Sequence, residues 1–549
     1  MKTALSRNRK AWAVCIAALL GATLSSCLDE TVKDRLSEEE AYDTPANLYI
    51  NTVATLYNFI GGNAESQGLQ GTYRGVYDYN TFTTDEAVLP TRGGDWYDGG
   101  FWQNLYLHRW AATDITLNAT WNYLFKVVML CNRSLETIEA HVSLTGRNTA
   151  ETWKAEVRAI RAMFYYYLMD LYGRIPLVTA TGTDPAMVTQ SARSEAFRFV
   201  VSELQAAAPL LADAKSNRPG EYYGRMTRPV AWFLLAKLAL NAEVYTDDDW
   251  TDGHRPSGKD ILLEVDGTQM NAWQAVVAYC DKLAAGGYTL SADYRSNFAV
   301  NNETSPENIF TIPMDKNLYA NQFLYLFRSR HYAHGAALGM DAENGASATL
   351  STLKTYGYGT AEVDARYAFN FFSDTVRVDG KTVMLDNGKP LVYSPLQIKL
   401  DLTGDPHEKT AGARMFKYEI DRQAHADGKL QSNDIVLFRY ADAILMKAEA
   451  KVRLGEDASA ELTAVRARVG MPAREATLQH ILDERLLELM WEGWRRQDLV
   501  RFGKFAGTSG LRPQTAEDES DGHTTVFPIP RKVLDLNVNL TQNPGYDPH

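Results

Sequence analysis

Apolar residues at three- and four-residue spacing constrain this chain to a mainly helical fold. The clearest run lies between Glu151 and Tyr172. Gly173 and Pro176 follow it, and both favour a helix end at this point. The apolar positions of the run share one helical face: Val157, Ile160, Phe164, Leu168 and Leu171. A segment with this pattern packs as a helix against other elements rather than as a strand.

Further segments repeat this pattern along the chain. Strong helical signals occupy 227–245, 434–454 and 477–493, and Thr227 and Pro229 fit the first turn of their helix. Weaker helical signals lie at 122–140, 194–211, 271–285 and 458–469. Short turns join the neighbouring helices, although no period of about 34 residues occurs. The fold class predicted is mainly α, a superhelix of tetratricopeptide-like helical hairpins.

Two regions depart from the helical pattern. Residues 60–110 are rich in Gly, Asp, Tyr and Trp and are typical of ordered irregular loops. Residues 366–400 contain the hairpin turn pairs Asp379-Gly380 and Asn387-Gly388, which predict a small β-hairpin region. The helical scaffold is therefore expected mostly in 37–60, 111–290 and 431–505, and a loop- and β-rich face mostly in 61–110 and 311–430.

The N-terminus has the features of an export signal. Four basic residues precede an apolar stretch, Ala11 to Leu24, that is too short to span a bilayer. Leu24-Ser25-Ser26-Cys27 fits a lipoprotein cleavage site, so 1–26 is predicted to be removed and Cys27 to carry the lipid anchor. A plain secretory signal is the alternative. Because no Pro/Gly/Ser linker follows, 27–549 is predicted to form a single compact body.

The net charge of the chain narrows the classes of molecule that it can bind. The predicted signal has four positive and no negative side chains, so its removal takes the net charge from −12 to −16. Such a balance disfavours binding to nucleic acid, which requires clustered Lys and Arg.

Cys131 and Cys280 are the cysteines left besides Cys15 and Cys27, and both are predicted to be buried free thiols.

The segment from Thr84 to Asn104 combines aromatic and polar side chains among glycines. Trp96, Tyr97, Phe101 and Trp102 lie beside the pairs Gly93-Gly94 and Gly99-Gly100. Exposed rings suit the weakly apolar faces of sugars, and neighbouring polar groups suit their hydroxyls. The polar candidates are Asp85, Glu86, Arg92, Asp95 and Asp98. The alternative is that the tryptophans fill the core, Trp102 in particular.

Several segments, in order along the chain, resemble the SusD/RagB family of nutrient-binding lipoproteins from Bacteroidetes. These segments are the Cys27 cleavage site, 121–132, 158–176, 231–245, 438–450, 484–503, 527–530 and 543–546. The resemblance implies four tetratricopeptide-like units, a glycan site on the loops, and a SusC-like TonB-dependent outer-membrane barrel as partner. Asp29 and Glu30 resemble the surface-export signal of such lipoproteins, so the exterior face of the outer membrane is expected.

The resemblance also implies that mid-chain aromatic residues join the loop residues at the site. In this chain the middle segment contains Tyr319, Phe323, Tyr325, His331, Tyr332 and the turn at Asn344-Gly345. The ligand contacts predicted are Trp96, Trp102, Tyr97, Asp95, Arg92, Asp85, Tyr319, Tyr325, His331 and Asn344. The charged residues of the resembling segments are instead expected to pair or to cap helices: Arg158, Arg161, Glu484, Glu488, Asp498 and Arg501.

The function predicted is capture of oligosaccharides at the cell surface and their delivery to the barrel for polysaccharide utilisation. No catalytic, metal or cofactor site is expected, and an incidental calcium at Asp247–Asp249 is an alternative that the sequence leaves open. His331 and His334 have the spacing of two metal ligands but lack an evident third. Three rival functions remain: a peptide-binding lipoprotein of the same architecture, a glycoside hydrolase, and a scaffold that only clamps the barrel.

Overall fold

The computed structural model describes residues 41–62, 67–70, 74–318, 328–427, 429–512 and 519–548. The predicted signal and Cys27 lie outside the described residues. The chain divides into two compact units, 1–51 and 52–549. In the first unit, helix α1 (Pro45–Tyr49) begins at Thr44, whose hydroxyl accepts a hydrogen bond from the Asn47 N–H at 3.2 Å.

Helices are the main regular elements of the second unit. They are α2 (Thr55–Gly61), α3 (Val76–Thr81), α4 (Phe101–Tyr106), α5 (Ile115–Ala140), α6 (Val142–Thr145), α7 (Arg147–Tyr172), α8 (Arg193–Ala207), α9 (Arg228–Leu240), α10 (Ala242–Tyr245), α11 (Ala272–Ala285), α12 (Tyr332–Leu338), α13 (Leu350–Thr355), α14 (Tyr367–Asn370), α15 (Tyr440–Leu454), α16 (Ser459–Arg468), α17 (Leu478–Leu489), α18 (Arg495–Arg501) and α19 (Arg531–Leu536). Among the described residues, no helix combines the length and the apolar character that crossing a membrane requires.

The strands are short and pair two by two, always antiparallel. They are β1 (Ala87–Val88), β2 (Ile175–Pro176), β3 (Gln190–Ser191), β4 (Leu262–Val265), β5 (Thr268–Asn271), β6 (Asn308–Ile312), β7 (Ser347–Ala348), β8 (Phe371–Phe372), β9 (Asp374–Thr375), β10 (Arg377–Val378), β11 (Lys381–Thr382), β12 (Val392–Tyr393), β13 (Arg414–Met415) and β14 (Ile435–Arg439). The pairs are β1–β7, β2–β3, β4–β5, β6–β14, β8–β13, β9–β12 and β10–β11.

The long helices pack in a chain of neighbours that confirms the predicted helical architecture. Helix α5 packs on α7 and α7 on α8, while α9 packs on α11, α11 on α15 and α15 on α17. From Ala155 to Tyr172, every residue of α7 except Arg158 is buried. Gly173 ends this helix with a positive φ of 66°, as its place in the sequence predicts. The scaffold is thus a stack of helices around an apolar core.

Several boundaries differ from the sequence prediction. The segment predicted as one helix over 434–454 is strand β14 followed by helix α15, because β6 offers a fully buried partner for the apolar run. Helix α17 ends at Leu489 instead of continuing towards Gly493. The loop-rich segment 60–110 includes the short helices α3 and α4. Thr227 precedes α9, but its hydroxyl forms no capping hydrogen bond.

The predicted β-hairpin region is confirmed. Strands β10 and β11 are joined by Asp379 and Gly380, whose φ angles of 50° and 77° fit a type I′ turn. A second hairpin of the same kind joins β4 and β5 through Asp266 and Gly267, at φ 50° and 78°. The sequence analysis does not identify this second hairpin, although Asp-Gly is its turn signal.

Buried ion pairs join the scaffold charges that the sequence analysis expected to pair. Glu488 accepts hydrogen bonds from three guanidinium groups, those of Arg366, Arg439 and Arg468. The other expected residues also pair: Arg158 and Arg161 with Glu203, Glu484 with Arg366 and Arg466, and Arg501 with Asp498 and Glu449. These charges therefore serve the fold. The thiols of Cys131 and Cys280 are free and buried, as predicted.

Glu86 gives a testable pH dependence of stability. Its carboxyl is buried and accepts a hydrogen bond from the backbone N–H of Trp491. Burial raises the pKa of Glu86 to about 8, although the positive charges of Arg495 and Lys417 partly oppose this rise. The folded pKa therefore lies above the unfolded one, so this contribution to stability is complete below about pH 4.5 and is lost as the pH rises through about 8.

We expect Glu86→Gln to remove this dependence, because the amide keeps the acceptor for Trp491 and carries no charge. The variant should match the wild type near pH 4.5 and exceed its free energy of unfolding by roughly 1–3 kcal/mol at pH 7. Urea unfolding at several pH values between 4.5 and 8 measures the difference. A constant difference across that range would contradict the prediction.

Candidate functional site

The aromatic segment is held in place by backbone contacts at both ends of a tight turn. Thr91 exchanges backbone hydrogen bonds of 2.9 Å with Leu400 and Leu402, and the N–H of Arg92 donates to the carbonyl of Asp95 at 3.0 Å. Gly93 lies in this turn at φ 69°, where a Cβ would approach Glu408 Oε1 to 2.5 Å. The turn thus requires glycine and directs residues 95–97 outward.

Trp96 lies half-buried at the surface after this turn. Its indole N–H donates to the carbonyl of Glu343 at 2.8 Å. The ring lies against the backbone of Gly345, where a Cβ would come within 2.7 Å of the indole. The side chain of the next residue, Tyr97, is 60% exposed. One edge of Trp96 is therefore fixed by the fold, while neighbouring aromatic surface faces solvent.

Two residues from distant parts of the chain complete this surface. The hydroxyl of Tyr332, a residue that is 43% exposed, donates to Asp95 Oδ2 at 2.7 Å. Lys409 Nζ donates to the same oxygen at 2.8 Å and to the carbonyl of Arg92 at 2.6 Å. We call Trp96, Tyr97 and Tyr332 the aromatic platform, with Asp95 and Lys409 as its polar pair.

The contacts of Asp95 and Tyr332 shift the pKa of each side chain. Partial burial raises the pKa of Asp95, but hydrogen bonds from Lys409 and Tyr332 outweigh this effect and lower it. Burial and the hydrogen bond to Asp95 raise the pKa of Tyr332. The platform therefore offers an anionic acceptor at Asp95, a donor at Lys409 and a phenol at Tyr332 beside exposed aromatic surface. This arrangement can hold a flat, hydroxyl-rich molecule.

Trp102 was predicted to contact the ligand, but the structure places its side chain in the core. Its side chain is 0% exposed, and its indole N–H donates to Asp98 Oδ2 at 2.7 Å. The rings of Phe82, Phe101 and Trp96 surround it, with centroids 4.9–5.9 Å away. Trp102 is thus the core residue on which the loop rests, as the alternative interpretation of the sequence expected.

Arg92 and Asp85 also contribute to the fold instead of facing a ligand. Arg92 is 0% exposed, and its guanidinium donates to Ser347 Oγ and to the carbonyls of Gly345, Glu408 and Ala411. Asp85 forms a bidentate pair with Arg495 at 2.7 and 2.8 Å. The Arg92 guanidinium is therefore enclosed by the protein, and the Asp85 carboxylate is held by Arg495.

Asn344 and His331 support the platform from beneath. Asn344 is 0% exposed at φ 53°, and its Oδ1 accepts from Arg414 at 2.8 Å. His331 is 9% exposed and precedes α12, where its Nδ1 accepts from the Ala333 N–H at 3.0 Å. Burial lowers the pKa of His331 to about 4, so the ring is neutral at physiological pH. Tyr319 and Tyr325 lie outside the described residues and stay predictions.

Lys409 is the residue of this site that the sequence analysis missed. It lies in a polar segment without any motif, and only the tertiary structure brings it to Asp95.

The candidate metal ligands have other partners. His334 Nδ1 lies 3.1 Å from the Tyr393 hydroxyl. In the Asp247–Asp249 run, Asp248 accepts hydrogen bonds from the N–H and the hydroxyl of Ser194 at 2.8 Å, at the first turn of α8. Within the described ranges, no group of three or more His, Cys, Asp or Glu side chains is placed to hold a metal ion.

Two family models match the chain. The model described as "SusD family" matches residues 259–546, and the one described as "Starch-binding associating with outer membrane" matches residues 36–240. Among individual proteins, "Starch-binding protein SusD" of Bacteroides thetaiotaomicron is 24% identical over 534 residues, which covers 88% of this chain and 87% of that protein. "SusD-like protein P2" of Formosa agariphila is 23% identical over 459 residues and covers 78% and 81%.

Solved structures share the fold. A "Laminarin binding SusD-like protein" aligns with a TM-score of 0.66 and 21% identity, covering 92% of this chain and 100% of that one. "Surface glycan-binding protein A" from Bacteroides thetaiotaomicron, solved in complex with laminarihexaose, aligns with a TM-score of 0.66 and 19% identity over the same shares. At these identities the likeness concerns the fold alone.

Proposed function

We propose that this chain, which belongs to the SusD family, captures an oligosaccharide on the aromatic platform and performs no bond-breaking. The observation that carries the proposal is the exposure of Tyr97 and Tyr332 beside Trp96, at a surface where Asp95 and Lys409 supply an acceptor and a donor. Relatives named as binding starch and laminarin support a carbohydrate as the ligand.

The energetics suit capture followed by release. One sugar ring stacked on an aromatic side chain contributes about 1.5–3 kcal/mol, by analogy with burial of a large apolar group. Two or three such contacts and a few hydrogen bonds, less the cost of ordering the ligand, give a Kd of roughly micromolar to millimolar. A carrier that passes its ligand onward requires affinity in this range.

A glycan panel tests the proposal against its rivals. Isothermal titration of the purified chain with plant, host and microbial oligosaccharides should show binding to at least one, and chromatography of the mixture should show the sugar intact. Appearance of shorter products would identify a glycoside hydrolase instead. Retention of peptides with no glycan bound would identify a peptide-binding lipoprotein.

The cellular part of the proposal is attachment to the outer membrane, facing outward, and delivery of the glycan to a SusC-like TonB-dependent barrel. Its support is the Cys27 cleavage site and the family description that names the outer membrane. Several acyl chains on one cysteine make a stable anchor, since each buried methylene contributes about 0.8 kcal/mol.

We expect Cys27→Ser to move the protein from the membrane fraction to the soluble fraction, because serine cannot carry the thioether-linked lipid. Fractionation of cells expressing each form, with protease treatment of intact cells, measures both the anchor and the outward orientation. Co-purification of the wild type with a barrel protein supports the transporter. A serine variant that still sediments with membranes would contradict the anchor.

A further inference from the structure

A second open cavity lies on the helical scaffold and uses none of the platform residues. It has a volume of about 510 Å³ and lies between the β4–β5 hairpin and the helices α8, α9 and α11. We call it the hairpin groove. Its lining includes Gln205, Arg228, Trp232, Glu264, Asp266 and Lys282. This volume falls within the range of small-molecule sites, about 300–1,000 Å³.

The wall of the hairpin groove is held in a fixed position. The side-chain amide of Gln205 on α8 donates to the carbonyl of Glu264 at 2.6 Å. At the turn of the hairpin, the carboxylate of Asp266 pairs with the ammonium of Lys282 on α11. Two helices thus fasten the hairpin near its turn, so the groove exists before any ligand arrives.

Trp232 stands out from the helix that carries it. Between Pro229 and Leu240, all residues of α9 except Trp232 are buried. Trp232 is half-buried and lines the groove. Its indole N–H donates to no described residue. The Lys282 ammonium lies 5.5 Å from the ring centroid. A large ring with an available N–H, half-buried among the buried residues that follow Arg228 in this helix, indicates a contact surface.

We propose that the hairpin groove is a second carbohydrate site, which takes a short neutral segment of an oligosaccharide. Trp232 supplies a flat apolar face and a donor, while Glu264 and Asp266 supply acceptors. Arg228 and Lys282 balance these two carboxylates, so the lining favours an uncharged ligand with many hydroxyls over an anion or a cation.

The class of ligand assigned to the hairpin groove rests on the proposed function. The position of this second site rests on residues outside the aromatic platform. Two sites on one chain increase retention on a polymer, because the second contact forms at a high effective concentration when the polymer spans both. The expected consequence is stronger binding of long polysaccharides than of the short oligosaccharides that fill one site.

The test compares Trp232→Ala with Leu262→Ala, a control at a β4 side chain that is 64% exposed and absent from the groove lining. Affinity electrophoresis in laminarin, starch or xylan should show retention reduced at least about tenfold by Trp232→Ala and unchanged by Leu262→Ala. Titration with the matching hexasaccharide should show a stoichiometry that falls from about two to about one. Unchanged melting temperatures and partial rescue by Trp232→Phe separate binding from misfolding.

Combination with the platform variant Trp96→Ala separates this inference from the proposed function. Residual retention in Trp96→Ala that disappears in the double variant supports both sites. If Trp96→Ala alone abolishes retention and Trp232→Ala changes nothing, the second site is overturned and the platform stands. If the wild type is retained by no polysaccharide of the plant, host and microbial panel, neither proposal survives.

Discussion

Replacing Glu488 with glutamine is expected to lower the free energy of unfolding by about 3–5 kcal/mol. The Glu488 side chain is 0% exposed, and it accepts hydrogen bonds from Arg366 at 2.8 Å, from Arg439 at 2.6 Å and from Arg468. Burial raises the pKa of Glu488, but the three guanidiniums outweigh this effect and hold it well below its usual range. The amide has nearly the same shape but no charge, so the buried cluster loses one negative charge. Arg366, Arg439 and Arg468 then keep only their other carboxylate partners, and one positive charge is left uncompensated in a dry interior.

The loss of stability in Glu488→Gln should affect the whole scaffold, because the Glu488 carboxylate joins several secondary-structure elements. Arg439 ends strand β14, Arg468 ends helix α16 and Glu488 lies on α17. Urea unfolding followed by circular dichroism measures the change. The control is Glu139→Gln, which removes an exposed carboxylate paired with Arg147 and Lys154 and should move the midpoint little. Equal stabilities of the two variants would contradict the role given to Glu488.

Replacing Trp96 with alanine is expected to weaken glycan binding about 10–100-fold, which corresponds to loss of one stacking contact of about 1.5–3 kcal/mol. The half-buried ring is fixed in place by its hydrogen bond to Glu343 and by its contact with Gly345. A ring that is already ordered loses little entropy on binding, so most of the stacking energy appears as affinity.

The same contacts make Trp96→Ala a change in local packing, so a second substitution is required. Tyr97→Ala removes a ring that is 60% exposed and should weaken binding while leaving the melting temperature unchanged. Tyr222→Ala, at a half-buried tyrosine in the segment before α9, is the control and should bind as the wild type does. Titration with a glycan that the wild type binds gives all three affinities. Full affinity in both platform variants would refute the site.

The architecture could be predicted from sequence because helix periodicity is a local property. The stripe in α7 and the glycine at its end required no knowledge of neighbours. The error at β14 has a tertiary cause: a short apolar run fits a buried strand or a buried helix, and the presence of β6 decides between them. The hairpin at Asp379-Gly380 was predictable because Asp-Gly lies between two strand patterns. Asp266-Gly267 carries the same turn signal, which the prediction overlooked.

The candidate site could be predicted in its loop but not in its individual contacts. Trp96 and Trp102 lie in the same glycine-rich segment, and only packing places one at the surface and the other in the core. The Arg92 side chain was expected to meet hydroxyls of a ligand, yet carbonyls more than 250 residues away accept its hydrogen bonds. Lys409 pairs with Asp95 across a similar distance in sequence, which no local pattern records.

A crystal structure of the chain with an oligosaccharide from the binding panel would show where the sugar binds and whether it stays intact. We expect sugar rings stacked at Trp96, Tyr97 and Tyr332, with a hydroxyl within hydrogen-bond distance of Asp95 or Lys409 and every glycosidic bond intact. Clear density for the sugar elsewhere, with these three rings untouched, would contradict this expectation.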